Sequence, residues 1–206
     1  LVTFNSWRNP VLSCYHPIGV AVDRVIQPGK GFYMPVPCGS CLGCRADQAR
    51  EWAIRLMHEK RLHDEAWFVT LTYSDERIPR FGSLDFGDFR AFIKAVRRDH
   101  PPKSVRFYGC GEYGGQTERP HYHAVLFGAY FLDKYFHRSC ASGDVWRSPS
   151  LENYWKLGAC EITALTEKSA AYVAGYVRKK VKKRVFGNPL ERVDPETGEL
   201  VTLEAE

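Results

Sequence analysis

The segment GEYGGQTERPHYHAVLFG, residues 111–128, decides how this chain folds and what chemistry it can carry. HYHAVLFG predicts a strand, GGQTERP before it predicts a turn, and SVRFYGCGEYG ahead of the turn predicts the partner strand of a hairpin. In a strand, successive side chains alternate between the two faces. His121 and His123 therefore project in parallel, and antiparallel pairing across the turn brings Glu112 alongside them. Two neutral imidazoles and a carboxylate make a metal site with positions left open for substrate and water. The plainer alternative is an edge strand whose two histidines face solvent or hydrogen-bond locally.

The flanking segments supply the rest of a sheet. AWFVTLTYS, 66–74, alternates Phe68, Thr70 and Thr72 against Val69, Leu71 and Tyr73, and predicts a strand. LDFGDFRAFIKAVRRDH, 84–100, predicts a helix with Phe89, Phe92, Ile93 and Val96 on one stripe, ended by Pro101 and Pro102. SPSLENYWKLG predicts a short helix starting at Ser148 or Ser150, ACEITALT a further strand, and EKSAAYVAGYVRKKVKKRV, 167–185, a helix. Upstream, RADQAREWAIRLMHEKRLHDE, 45–65, has Ala49, Trp52, Ala53, Leu56 and Met57 at helical spacing. Residues 1–37 read as loops with two short strands, and 186–206, with four Gly or Pro and six acidic side chains, as a loop or tail. There is no internal repeat. From residue 66 the order strand, helix, strand, strand, helix, strand, helix predicts an α+β fold, a mainly antiparallel central sheet flanked by helices. Three parts follow: an N-terminal extension over 1–65, a core over 66–185, and the tail over 186–206.

The composition agrees. A chain of 206 residues with 44% hydrophobic and 14% aromatic residues is ordered and large enough for one domain with an appendage. A net charge of +5 is compatible with an anionic partner without demanding one. No apolar run approaches the length of a membrane span and no signal-peptide pattern is present, so no membrane partner is expected.

Two further constellations carry chemistry. Tyr172 and Tyr176 in AAYVAGYVRKK lie four apart on a helix and share a face, about 6 Å apart along the axis. A tyrosine can act as a nucleophile, but a phenol with a pKa of roughly 10 needs a metal or cation nearby. Otherwise both rings simply pack on the sheet. Ala170, Ala171, Ala174 and Gly175 keep the surroundings small, which favours an accessible phenol. RKKVKKR, 178–184, puts Arg178, Lys180, Lys182 and Lys183 directly after the tyrosines, either as a solvated helix end or as phosphate contacts.

Among seven cysteines, Cys38, Cys41 and Cys44 follow a C-x2-C-x2-C spacing, with Cys14 upstream. Such an array builds a tetrahedral structural zinc site. His16 in place of Cys14, an iron–sulfur cluster, or plain buried thiols are the alternatives. Cys110, Cys140 and Cys160 read as isolated small core residues.

FVTLTY at 68–73, RPHYHAVLFG at 119–128 and YVAGYVRK at 172–179 occur in that order and resemble motifs I, II and III of the HUH endonuclease superfamily. The resemblance is to the rolling-circle replication initiators of small single-stranded DNA phages, the gokushovirus-type microviruses, and VPCGSCLGCRADQAREWAIRLMHE extends it towards the N-terminus. It covers roughly residues 14–184. It implies a Rep-type, ferredoxin-like core and a divalent Mg²⁺ or Mn²⁺ on His121 and His123, with Glu112 as third ligand. It further implies Tyr172 and Tyr176 as paired nucleophiles forming a 5′-phosphotyrosine, and Lys179 stabilising phosphate or leaving-group charge. The implied partners are a single-stranded DNA origin and the host DNA polymerase and helicase, in the cytoplasm of an infected bacterium. No ATPase P-loop is present, so unwinding is expected from the host. Gly175 stands where some relatives carry a lysine. The rival readings are a non-enzymatic zinc-containing DNA-binding protein, or a plasmid relaxase or transposase of the same superfamily.

Overall fold

Strand β3, Ala66–Tyr73, is the pivot of the main sheet, because both of its edges are paired. Its neighbours are β5, Pro120–Phe127, and β8, Gly158–Ala164, each antiparallel to it. In the computed structural model, residues 13–22, 32–101, 104–115, 117–140, 143–185, 190–193 and 200–203 are described. Adding β4, Arg106–Tyr113, beyond β5, and the hairpin β6, Tyr135–Cys140, with β7, Gly143–Arg147, beyond β8, gives a six-stranded sheet. Its order is β4-β5-β3-β8-β7-β6 with every pairing antiparallel.

Two helices complete the core unit: α2, Phe86–Arg98, between β3 and β4, and α3, Pro149–Trp155, before β8. In β3-α2-β4-β5-α3-β8 each βαβ crossover is split by a strand running the other way, which is the ferredoxin-like arrangement. The period of two sorts the strand residues. Val69, Leu71, Tyr73, Tyr122, Ala124, Leu126 and Ile162 pack with Phe89, Phe92, Ile93 and Val96 of α2 and with Leu151 and Trp155 of α3. On the opposite face, Phe68, Val125 and Phe127 pack with Leu56 of α1, Leu42–Lys60, and with Ala170 and Val173 of α4, Glu167–Val185. The molecule is thus a sheet with one helical layer on each side, and the two layers differ in function.

Tyr122 shows why. It lies between the two histidines in sequence and so points the other way, with its ring 5.2 Å from Phe89 and 5.9 Å from Trp155. Its hydroxyl donates to the Asp85 carbonyl at 2.6 Å. Gly109 on β4 makes room for this packing, since a Cβ there would run into the Phe89 ring. Burying Tyr122 on the α2 side forces His121 and His123 onto the α4 side.

Three expectations need correcting. The β6–β7 hairpin was not anticipated, because YFHRSC is exposed along its whole length and has no half-buried alternation to mark it. Cys140, expected in a core, is exposed on that hairpin, and Cys110 is only partly buried, whereas Cys160 is buried as expected. Residues 186–206, read as loop or tail from their glycines and prolines, contain an antiparallel pair, β9, Leu190–Val193, with β10, Leu200–Leu203. The short β-branched pieces around Val193, Val201 and Thr202 favour that pairing. The two short strands expected near the N-terminus are β1, Ile18–Val22, and β2, Phe32–Val36, paired with each other. Among the described residues no helix is long and apolar enough to cross a membrane.

Candidate active site

The β4–β5 register places Glu112 opposite His121 and Cys110 opposite His123. All three ligand candidates therefore share the α4 face. Glu112 Oε2 lies 3.4 Å from Nε2 of His121 and 3.4 Å from Nε2 of His123. The three donor atoms fall within 4.8 Å of one another.

The second ring nitrogens are held from behind. His121 Nδ1 lies 3.0 Å from the Arg119 carbonyl, which only accepts, so in the neutral ring Nδ1 carries the proton and Nε2 presents its lone pair. His123 Nδ1 lies 3.1 Å from the Thr70 hydroxyl of β3. Its ring stacks on Phe68, centroids 5.3 Å apart. A lone pair of His121 facing a carboxylate oxygen is one acceptor facing another, an arrangement that a cation completes. Donors 3.4 Å apart also suit a shared divalent ion with legs of about 2.1 Å. The residues fit a Mg²⁺- or Mn²⁺-type ion, whose identity the donors alone do not choose.

Helix α4 brings the phenols over this cup. Its start is fixed by a reciprocal cap: the Ser169 amide donates to the Thr166 hydroxyl at 3.2 Å, and the Thr166 amide donates to the Ser169 hydroxyl at 2.8 Å. Tyr172 and Tyr176 then lie 5.4 and 5.7 Å from the His123 ring and 5.1 Å from each other, nearly perpendicular. Four residues rotate a helix about 40° past a full turn, so the two rings are not equivalent. Tyr176 falls nearer the sheet and is 4% exposed, whereas Tyr172 is 51% exposed. Burial pushes the Tyr176 phenol far above its usual value, and its hydrogen bonds with Glu112 and Tyr172 act in the same direction. An accessible phenol was expected at both positions, and only Tyr172 is one. Ala170 and Ala174 are fully buried, and their small size lets α4 lie close to the layer beneath it. The open side belongs to Ala171 and Gly175.

Arg178, Lys179, Lys180, Lys182 and Lys183 continue on α4 beyond Tyr176, but their side chains lie outside the described residues. Cys14, Cys38, Cys41 and Cys44 come together, with their sulfurs within 4.8 Å of one another. His16, the alternative fourth ligand, stays exposed outside the group. Three contributors had escaped the sequence reading: Phe68 beneath the His123 ring, Thr70 on its Nδ1, and Arg119, whose guanidinium donates to the Tyr73 carbonyl and to Asp75 at 2.5 Å each. The even-numbered face of FVTLTY was the available signal for the first two.

A sheet of this topology, with a histidine–carboxylate cup beneath paired phenols, sits in the segment that comparison with known proteins places among replication-associated proteins. The chain belongs to the replication-associated protein ORF2 family, whose model matches residues 66–181, more than half of its length. It is 35% identical over 153 residues to the replication-associated protein VP4 of Bdellovibrio phage phiMH2K, covering 70% of this chain and 48% of that one. It is 33% identical over 156 residues to the replication-associated protein ORF2 of Spiroplasma virus 4, covering 71% and 48%. With the replication-associated protein ORF4 of Chlamydia phage 1 it shares 31% over 159 residues, covering 73% and 40%. The chain spans about half, or less, of the length of these curated relatives. No solved structure matches it.

Proposed function

We propose that the protein is a rolling-circle replication initiator: a metal-dependent endonuclease and strand transferase that nicks single-stranded DNA at a phage origin and later rejoins it. The observation that carries this reading is the placement of two phenols within 5.4 and 5.7 Å of His123, on the same face as Glu112 and His121. A purely packing role for both tyrosines fits poorly with a Tyr172 that is half exposed above a polar cup.

In this reading His121, His123 and Glu112 hold a Mg²⁺ or Mn²⁺ ion, which supplies positive charge to polarise the scissile phosphate. Thr70 and the Arg119 carbonyl orient the two imidazoles so that Nε2 faces inward. The Tyr172 oxygen attacks phosphorus as its proton is lost. The P–O3′ bond breaks, the departing oxygen takes up a proton, and the DNA 5′ end is left on the tyrosine as a phosphodiester. The free 3′-hydroxyl is a primer for the host polymerase, while a host helicase opens the duplex. Tyr176 repeats the attack on the regenerated junction, and the 3′-hydroxyl released displaces the first tyrosine and closes the circle. Two nucleophiles on one helix face let cutting and joining alternate without loss of the covalent end. Lys179 meets the charge on the transferring phosphate, and Arg178, Lys180, Lys182 and Lys183 hold the flanking backbone. All of this takes place in the cytoplasm of the infected bacterium.

The test is cleavage of a labelled single-stranded origin oligonucleotide with Mn²⁺, compared with chelator and with His121→Ala/His123→Ala. The expected outcome is cleavage only by the unaltered chain with ion present. Cleavage that survives both treatments refutes the role of the cup. DNA binding with no cleavage under any divalent ion favours a non-enzymatic DNA-binding protein instead.

A further inference from the structure

The four cysteines of the N-terminal part lie apart from the Glu–His–His cup and are built differently. Cys38 and Cys44 sulfurs are 3.9 Å apart, as are those of Cys41 and Cys14. That is far beyond a disulfide of about 2.05 Å. It is close to the edge of a tetrahedron with metal–sulfur legs of about 2.3 Å, roughly 3.8 Å. Backbone amides converge on the sulfurs. The Cys41 amide donates to Cys38 at 3.4 Å, Cys44 to Cys41 at 3.5 Å, Cys38 to Cys14 at 3.3 Å, and Tyr15 to Cys41 at 3.4 Å. Cys41 is also the N-cap of α1. Gly43 is required for the crossing, because a Cβ there would collide with the Ser13 carbonyl, so residues 13–15 lie directly on the first turn of α1.

We propose that Cys14, Cys38, Cys41 and Cys44 hold one zinc ion that staples residues 13–15 to the start of α1 and thereby sets the floor on which the tyrosine helix rests. Four thiolates select a soft, tetrahedral ion over the hard ions suited to the cup. α1 carries the effect across the molecule. Leu56, with Ala53 and Met57 beside it, packs with Ala170 and Val173 of α4, and Lys60 Nζ donates to the Leu165 carbonyl just ahead of α4 at 2.6 Å. The ion holds one end of α1, and the other end holds the approach to Tyr172. Such a site stands whether or not the tyrosines cleave DNA.

The experiment is elemental analysis of the purified full chain after dialysis, together with cobalt titration of the zinc-stripped chain and amide exchange with and without zinc. One zinc per chain is expected, retained in His121→Ala/His123→Ala and lost in Cys38→Ser/Cys41→Ser. Cobalt should give the intense visible bands of tetrahedral cobalt together with thiolate charge transfer, a readout that does not depend on the cysteine variant folding. Faster exchange over 167–176 in the stripped chain is the expected sign of coupling to the tyrosine helix. A chain without metal whose four thiols react freely and give no tetrahedral cobalt spectrum overturns the site. So does iron with sulfide in place of zinc. Zinc binding with unchanged exchange over 167–176 overturns the coupling to α4.

Discussion

Tyr122 separates the histidines, and replacing it tests whether its job is confined to the far side of the sheet. The ring is 2% exposed and packs against Phe89, Tyr73 and Trp155. Removing it in Tyr122→Ala costs about 3–5 kcal/mol for the lost burial and the cavity left behind. At roughly 2–4 °C per kcal/mol for a chain of this size, the thermal midpoint falls by about 6–20 °C. Tyr122→Phe keeps the ring and loses only the hydroxyl's bond to the Asp85 carbonyl. That carbonyl also accepts from the Asp88 amide at 3.1 Å and is not orphaned by the change. The cost is then about 0.5–1.5 kcal/mol, or roughly 1–6 °C. Thermal unfolding gives the stability, and divalent-dependent cleavage of single-stranded DNA gives the function. Tyr122→Phe should cleave as the unaltered chain does. A well-folded Tyr122→Phe with cleavage reduced more than tenfold refutes the reasoning, because the phenol would then act on the cup through the sheet.

Thr70→Val keeps the shape of the strand but removes the hydroxyl beside His123 Nδ1, and is expected to weaken Mn²⁺ binding about 10–100-fold with the thermal midpoint little changed. Titrating cleavage against Mn²⁺ reads this directly, and an unchanged titration means Thr70 does not orient the ring. Tyr172→Phe should abolish the first cut, whereas Tyr176→Phe should permit it and block the second round, since only Tyr172 is open to an incoming strand. The opposite order in a single-turnover assay contradicts the exposure argument. Stability should also fall in alkali. Burial raises Tyr73, whose hydroxyl bond to Asp88 adds to the effect, pushes Tyr108 up to about 12 and raises Cys160. These groups ionise in the unfolded chain while the folded chain still holds their protons. Their contribution is therefore complete below the ordinary thiol and phenol values of 9.0 and 10.0 and is lost as pH rises through the folded values. Urea midpoints at about pH 8 and about pH 11 measure it, and an equal or higher midpoint at the alkaline value contradicts the burial of these groups.

The placement of the cup follows from a local rule that can be applied to the sequence alone. Residues two apart on a strand share a face, and a short turn brings Glu112 back beside His121. The helices of the core were marked by apolar stripes such as Phe89, Phe92, Ile93 and Val96, which the structure buries. What escaped depends on long-range packing. Whether a helical tyrosine is buried or open is set by how the helix is rotated on the sheet, so Tyr172 and Tyr176 look alike in sequence and differ in the fold. Thr70 becomes the partner of His123 only once β3 pairs with β5 in the observed register. The β6–β7 hairpin offers no periodic signal, because its first strand extends an edge without covering a core.

Incubation with a single-stranded origin oligonucleotide and Mn²⁺, followed by denaturing electrophoresis, addresses the central claim most directly. A protein band shifted by covalently attached DNA is predicted for the unaltered chain, abolished in Tyr172→Phe/Tyr176→Phe. An adduct that persists in the double variant, or cleavage without any adduct, would contradict the assignment of these tyrosines as the nucleophiles.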